Sequence, residues 1–324
     1  MTGATTRGFD VVVIGEPLLE LSSDVPLEVA DCFHSSFSGD ALNEAAAAAA
    51  AGAHVALLTR VGDDEFGDAL CAYATRLNID VSQVVRTPEP NGVYFTALDP
   101  DGERHFVYLR RGSAASTMDP GDFDDDLLAS SGVLLVSGIG CAISESAEAT
   151  IQHAAKTVNA AGGKVVYDPN FRARLVDVGS ARRHMQDLGE FAYIVTPSCP
   201  HDTEPLFGTS EAQSAIVSCH DAGAEFGLVT LGNRGVLLSD GEHSTVIPAE
   251  PAIDAVDATG CGDAFTGALA AGIAAGTSVE DATRSGVQMA SRCLGGRGGT
   301  GYLLNAVDTP PSEQQQDSPR EERP

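Results

Sequence analysis

An aspartate set beside nearly side-chain-free backbone can take a proton from a hydroxyl while the backbone holds an anion. The stretch from Asp254 to Ala270, DAVDATGCGDAFTGALA, has that make-up. Gly260, Cys261 and Gly262 precede an apolar run (Ala264, Phe265, Ala268, Leu269) that reads as a helix. Such a junction points several N–H groups, and the positive end of a helix dipole, at one spot that suits a phosphate. Asp263 falls in the first turn, close enough to accept a proton from an attacking hydroxyl. A carboxylate beside an anion hole is otherwise repulsive, which favours group transfer over plain anion capture. A glycine-rich turn capped by aspartate, with no chemistry, accounts for the same residues equally well.

Composition narrows the chemistry. Asp and Glu total 46 against 19 Lys and Arg, a net charge of −27, which excludes nucleic acid and anionic membrane as natural partners. The lysines are Lys156 and Lys164, and neither sits in a G-x-x-x-x-G-K-[ST] loop. Phosphate handling would therefore rest on backbone amides, Mg²⁺ and arginines. Seven scattered cysteines without a C-x-x-C pair, and dispersed histidines, argue against a disulfide framework and a zinc site. No run of 18 apolar residues suggests a membrane span, and no signal-peptide core precedes the first strand, so a cytoplasmic protein is expected.

The elements that must position these residues alternate. Strands are read at Asp10–Ile14, Val55–Arg60, Gly132–Gly138, Lys164–Asp168, Phe191–Thr196 and Phe226–Leu231, with Val236–Ser239 after a glycine turn. Helices are read at the alanine-rich Glu44–Ala51, at Asp68–Leu77, at Ser144–Ala161 before Gly162-Gly163, after Asp263, and at Val279–Leu294. This order predicts an α/β fold with a doubly wound, mostly parallel sheet flanked by helices. Gly92–Leu98 and Arg104–Arg110, two alternating strands around Pro100-Asp101-Gly102, and a half-exposed strand Leu18–Ser22 predict a small β-sheet lid. A lid keeps water from competing for a phosphoryl group. Asp168-Pro169-Asn170-Phe171-Arg172 ends a parallel strand, where ligand groups belong in such sheets. Arg174, Arg182 and Arg183 read as solvated surface, and Glu16 as a solvated strand-end carboxylate.

DATGCGDAF resembles the C-terminal signature of the ribokinase-like (PfkB) carbohydrate kinases, usually D-T-T-G-A-G-D, and the likeness extends over nearly the whole chain. It implies that the backbone of Gly260, Cys261 and Gly262 holds the phosphoryl group in flight and that Asp263 is the base. Ala258 and Cys261 depart from the usual residues. Ser38-Gly39-Asp40-Ala41-Leu42-Asn43 is similar to G-G-D-x-x-N, which implies that Gly39, Asp40 and Asn43 hold sugar hydroxyls; Asp40 as a helix N-cap is the structural alternative. NGVYFTALDPDGERHFVYLRRGSAAS resembles a segment of the 2-keto-3-deoxygluconate (KDG) kinases, with Leu109 in place of Trp, and implies that Tyr94, Tyr108 and Arg110 contact an acid sugar. Arg110 suits a carboxylate because its guanidinium can donate two parallel hydrogen bonds. The same alternation would place these three side chains on a lid face with no ligand. The D-x-N-x-R likeness puts Arg172 near substrate and phosphate, and Asp168 and Asn170 at the turn or at Mg²⁺ through water. V-T-L-G-x-x-G implies nucleotide contacts at Thr230, Gly232 and Gly235, joined by Ser198, Gly260 and Gly262. One departure stands out: the family's P-N-x-x-E reads Pro197-Ser198-Cys199-Pro200-His201, so His201 replaces the glutamate that helps organise Mg²⁺, with Asp202 or Glu204 as substitutes. The metal ligands stay undefined.

The resulting expectation is a kinase domain over residues 1–307, with lid strands at about 17–38 and 92–111, and a disordered polar tail at 308–324. It would transfer phosphate from ATP, with Mg²⁺, to the primary hydroxyl of a sugar acid such as KDG. The alternatives are a kinase for a neutral sugar (fructose or ribose) and a catalytically impaired binding homologue. A homo-oligomer joined through the lid stays open.

Overall fold

The computed structural model describes residues 8–98, 104–252 and 255–304. The expected turn at Pro100-Asp101-Gly102 and the tail at 308–324 lie outside the described residues. Strands are numbered in chain order: β1 Val11–Ile14, β2 Leu18–Ser23, β3 His34–Ser38, β4 Val55–Gly62, β5 Ile79–Asp80, β6 Val84–Thr87, β7 Val93–Leu98, β8 Arg104–Leu109, β9 Val133–Ser137, β10 Lys164–Asp168, β11 Ala192–Val195, β12 Phe226–Thr230, β13 Val236–Ser239 and β14 Ser244–Ile247. Among the described residues the main sheet runs β14-β13-β12-β11-β10-β9-β1-β4-β5, with β6 also against β4. Its pairings are parallel from β5 through β12 and antiparallel at β12–β13–β14. A second sheet, β3-β2-β7-β8, stands apart from it. The α/β reading and the separate small sheet are both observed.

Period-two alternation in β1 explains the layering. Val11 and Val13 join the core with the alanines of helix Asp40–Ala50 and with Leu269 and Ala270 of helix Cys261–Ala274. Val12 and Ile14 face the opposite way, onto Ala147, Ile151 and Ala154 of helix Glu145–Ala160. All four β1 residues are buried, as a strand covered on both faces requires.

Alanine does more than favour the helix. With only methyl groups on much of Asp40–Ala50, helix Cys261–Ala274 lies so close that a Cβ built on Gly267 would meet the Glu44 carbonyl oxygen at 2.3 Å. This backbone-to-backbone contact fixes Asn43 and Glu44 against Asp263 and Thr266.

Differences from the expectations are local. The helix expected at Asp68 begins at Glu65, because Asp64 caps it by accepting the Gly67 N–H at 2.8 Å. Leu18–Ser23 is mostly buried rather than half-exposed, since it is the lid sheet's inner strand, between β3 and β7. No helix among the described residues is long and apolar enough to cross a membrane.

Candidate active site

Parallel strands deliver their C-terminal ends to one edge, where the lid sheet faces them across a cavity of about 790 Å³. Gly260 caps helix Cys261–Ala274 at φ +79°, and a Cβ there would lie 2.5 Å from the Gly299 Cα, so both conformation and space demand glycine. Gly262 fronts open space. The Cys261 N–H is taken by the Ala258 carbonyl at 3.3 Å, which tightens the turn. The sequence suggested free amides throughout 260–263. Among the described residues of that turn, the Gly260, Gly262 and Asp263 N–H groups find no backbone acceptor, whereas Cys261 closes the turn. Asp257 pins this loop by accepting the Thr259 N–H (3.0 Å) and Oγ1 (2.8 Å) and the Gly298 N–H (3.0 Å).

Asp263 is half-buried on the cavity wall, and the Asn43 Nδ2 donates to its Oδ2 at 2.7 Å. Burial, followed by the charge of Asp40, raises its pKa to about 6; the Asn43 amide, Arg172 and Asn170 oppose the shift. Asp40 is not the N-cap that one reading allowed. Gly39, at φ +107°, occupies the cap position, and Asp40, the first helical residue, has its carboxylate hydrogen-bonded by the Ser137 hydroxyl instead. A side chain at Gly39 would meet the Glu16 carbonyl oxygen at 2.5 Å.

From the lid come Tyr94, Tyr108 and Arg110, all on the cavity wall. Tyr94 donates its hydroxyl to Glu20, and its ring lies 5.9 Å from that of Tyr108. Burial pushes both phenols above their ordinary pKa. Arg110 Nη2 stands 2.6 Å from Glu16 Oε2. Glu16 is therefore no solvated strand end: it is 1% exposed, held by Arg110 and the Ser113 hydroxyl, with burial raising its pKa. Arg172 is exposed at the cavity rim, its Nη1 on the Phe171 carbonyl at 3.0 Å. Arg174 was expected to be plain surface, but it too lines the cavity and donates to the Phe106 carbonyl of β8 at 2.7 Å, tying this loop to the lid.

The loop after β10 turns at Asn170, whose φ is +38°, with the Asn170 N–H on Asp168 Oδ1 at 3.1 Å. Asp202 holds it to the neighbouring loop: Oδ1 accepts the Phe171 N–H at 2.7 Å, and Oδ2 accepts the Ser198 N–H and Oγ, each at 2.7 Å. Asp202 thus braces the two loops. Glu204 is exposed and outside the cavity wall, whereas His201 is exposed on it. Ser198 and Thr230 line the cavity as a bridged pair. Cys261, Gly232 and Gly235 do not line it; Gly235 packs at φ +95° against Ile247, where a Cβ would sit 2.0 Å from the carbonyl oxygen.

The residue that sequence reading passed over is Glu44. It is 1% exposed, and oxygens of Glu44, Asp168 and Asp263 lie within 4.8 Å of one another, a set that could hold a metal ion. Burial, reinforced by neighbouring carboxylates, drives Glu44 and Asp168 well above the ordinary range. The available signal was an acid opening an alanine run that has no solvent face.

The pfkB family carbohydrate kinase model matches residues 9–304. A 2-dehydro-3-deoxygluconokinase of Thermoproteus tenax is 31% identical over 295 residues, covering 89% of each chain. The Probable fructokinase-2 of Arabidopsis thaliana is 29% identical, covering 87% of this chain and 88% of its own. The crystal structure of a PfkB protein from Polaromonas sp. JS666 superimposes with a TM-score of 0.81 at 28% identity, over 90% of this chain and 97% of that one. With a family match across almost every described element, and with the glycine turn, Asp263 and a lid around one cavity, this chain belongs to the pfkB family of carbohydrate kinases.

Proposed function

We propose that this carbohydrate kinase phosphorylates the primary hydroxyl of a keto-acid sugar of the 2-keto-3-deoxygluconate type, with ATP as donor. The observation that carries the reading is a single cavity lined by Asp263 and Gly262 on one side and by Tyr94, Tyr108 and Arg110 on the other. The name of the Thermoproteus relative supports the same substrate class.

Asp263 accepts the hydroxyl proton as the oxygen attacks the γ-phosphorus; the new P–O bond forms as the bond to ADP breaks. Its pKa of about 6 suits this task, since it is ionised at neutral pH yet basic enough to hold the proton. Asn43 fixes the carboxylate's orientation through Oδ2. The free Gly262 and Asp263 amides donate to the transferring group at the positive end of their helix. Gly39, Asp40 and Asn43 hold sugar hydroxyls. Arg110, oriented by Glu16, meets the sugar carboxylate, and Arg172 supplies positive charge at the rim. Ser198 and Thr230 lie along the nucleotide side. The Glu44–Asp168–Asp263 trio, one of whose oxygens is buried without a partner, fits Mg²⁺, which when bound neutralises phosphate charge.

The fructokinase relative favours a second reading, a neutral sugar, and one experiment separates the two. Arg110→Ala is combined with Glu16→Gln, so that the buried acid is not left unpaired. For an acid sugar, kcat/KM on KDG falls on the order of a hundredfold, the value of a charged hydrogen-bond pair. Faster turnover of fructose than of KDG, unchanged by the double substitution, would defeat the acid-sugar reading.

A further inference from the structure

We infer that Glu44, with Asp168 and Asp263, forms a divalent-cation site that fills without nucleotide. This deepens the kinase reading at the same cavity, and it begins from an oxygen with nothing to bind. Glu44 lies four residues after Asp40, on the same face of helix Asp40–Ala50, where Gly267 brings the other helix into backbone contact. Thr266 Oγ1 donates to Glu44 Oε1 at a long 3.4 Å. Glu44 Oε2 is enclosed and has no hydrogen-bond partner. A buried acceptor left unpaired is costly, and one between two further carboxyls more so.

Charge on neighbouring elements does not resolve the problem. Asp40 lies on the same helix, Asp263 on the facing helix and Asp168 at the end of β10; all three carboxylates raise the pKa of Glu44. Arg172 opposes the charge on Asp168 and Asp263, but it is exposed, with Nη1 on a backbone carbonyl. The cluster therefore holds protons or a cation.

Geometry favours a cation. Trans oxygens around an ion with bonds of about 2.3–2.6 Å stand about 4.6–5.2 Å apart, and around Mg²⁺, with bonds of about 2.0–2.1 Å, about 4.1 Å. The oxygens of the trio lie within 4.8 Å of one another, inside the separation that ligands of one divalent cation can span. Neighbouring acids join no such cluster among the described residues: Asp202 braces the loops at Phe171 and Ser198, and Glu204 is exposed.

The test uses the full chain without sugar or nucleotide. Mn²⁺ is titrated calorimetrically near pH 7.5 into wild type, Glu44→Gln and the exposed-acid control Glu204→Gln. Each variant's thermal shift is read against its own metal-free melt. The site predicts one Mn²⁺ per chain in wild type and Glu204→Gln. Glu44→Gln should weaken Mn²⁺ at least tenfold and abolish the thermal shift. Absence of Mn²⁺ binding at millimolar concentration, or equal affinity and equal shift in Glu44→Gln, overturns the inference. Phosphorylation of KDG by a protein that binds no Mn²⁺ alone would leave the kinase reading standing. A Glu44-dependent Mn²⁺ site in a protein that phosphorylates no sugar would do the reverse.

Discussion

Replacing Asp263 by asparagine should make the ligand-free protein more stable while nearly abolishing turnover. Its carboxyl titrates at about 6 in the folded chain against an ordinary 3.8. Two pKa units at 1.36 kcal/mol each amount to about 3 kcal/mol, and water reaching a half-buried group lowers that to about 1–3 kcal/mol. The sign follows from proton counting. Between pH 3.8 and about 6 the native state holds a proton that the unfolded chain has released, so stability falls as pH rises through this window, and the full loss is present above it. The substituted amide would have no charge to desolvate, and its oxygen could still accept the Asn43 N–H. Urea unfolding of metal-free and nucleotide-free protein at pH 8 should show the gain, which shrinks toward zero as pH approaches 4. Turnover in the same variant should drop on the order of 10²–10⁴-fold, and wild-type turnover should rise with pH to a plateau above about 6. A variant no more stable than wild type at pH 8 would refute the burial argument. Turnover within tenfold of wild type would refute the assignment of the base.

Two glycines give sharper structural tests. Gly267→Ala gains helix propensity but drives a methyl group into the Glu44 carbonyl at 2.3 Å, and a net loss of about 1–3 kcal/mol is expected in urea unfolding; unchanged stability would mean that the two helices are free to separate. Gly260→Ala forces a side chain to φ +79° against the Gly299 Cα, and it should lower kcat at least tenfold while costing about 2–5 kcal/mol in stability. Equal activity in that variant would argue against a fixed amide turn.

Much of the framework is legible in the sequence because it depends on local, periodic signals. Unbroken apolar runs such as Val11–Ile14 report burial on both faces, and glycine punctuation marks where strands become helices. Other elements send weaker signals. Helix Val178–Gly189 buries a narrow stripe, Ala181, His184, Met185, Leu188 and Gly189, among arginines and other polar residues, and β14 has three exposed positions in four. The chemistry of individual acids is less legible still. Glu16, Glu44 and Asp202 look alike in sequence, yet one holds an arginine, one has a bare buried oxygen and one braces two loops. Most of those contacts join residues dozens to hundreds of positions apart, such as Glu16 with Arg110 or Glu44 with Thr266. No spacing rule encodes them.

A chain with net charge −27 and only two lysines has an unusual way to hold a phosphoryl group. Asp40, Glu44, Asp168 and Asp263 crowd one end of the sheet, and the raised pKa values of the last three show that the empty site resists its own charge. In the proposed cycle, whatever binds there relieves that resistance: a cation neutralises the acids, and the substrate hydroxyl gives Asp263 a proton. Binding energy is then coupled directly to folding stability, as linkage requires of any ligand that prefers the native state. The acids that destabilise the empty protein are, on this reasoning, what makes the loaded one bind its cation tightly and keep a competent base. An active site cleared of them would be more stable and would have no chemistry to perform.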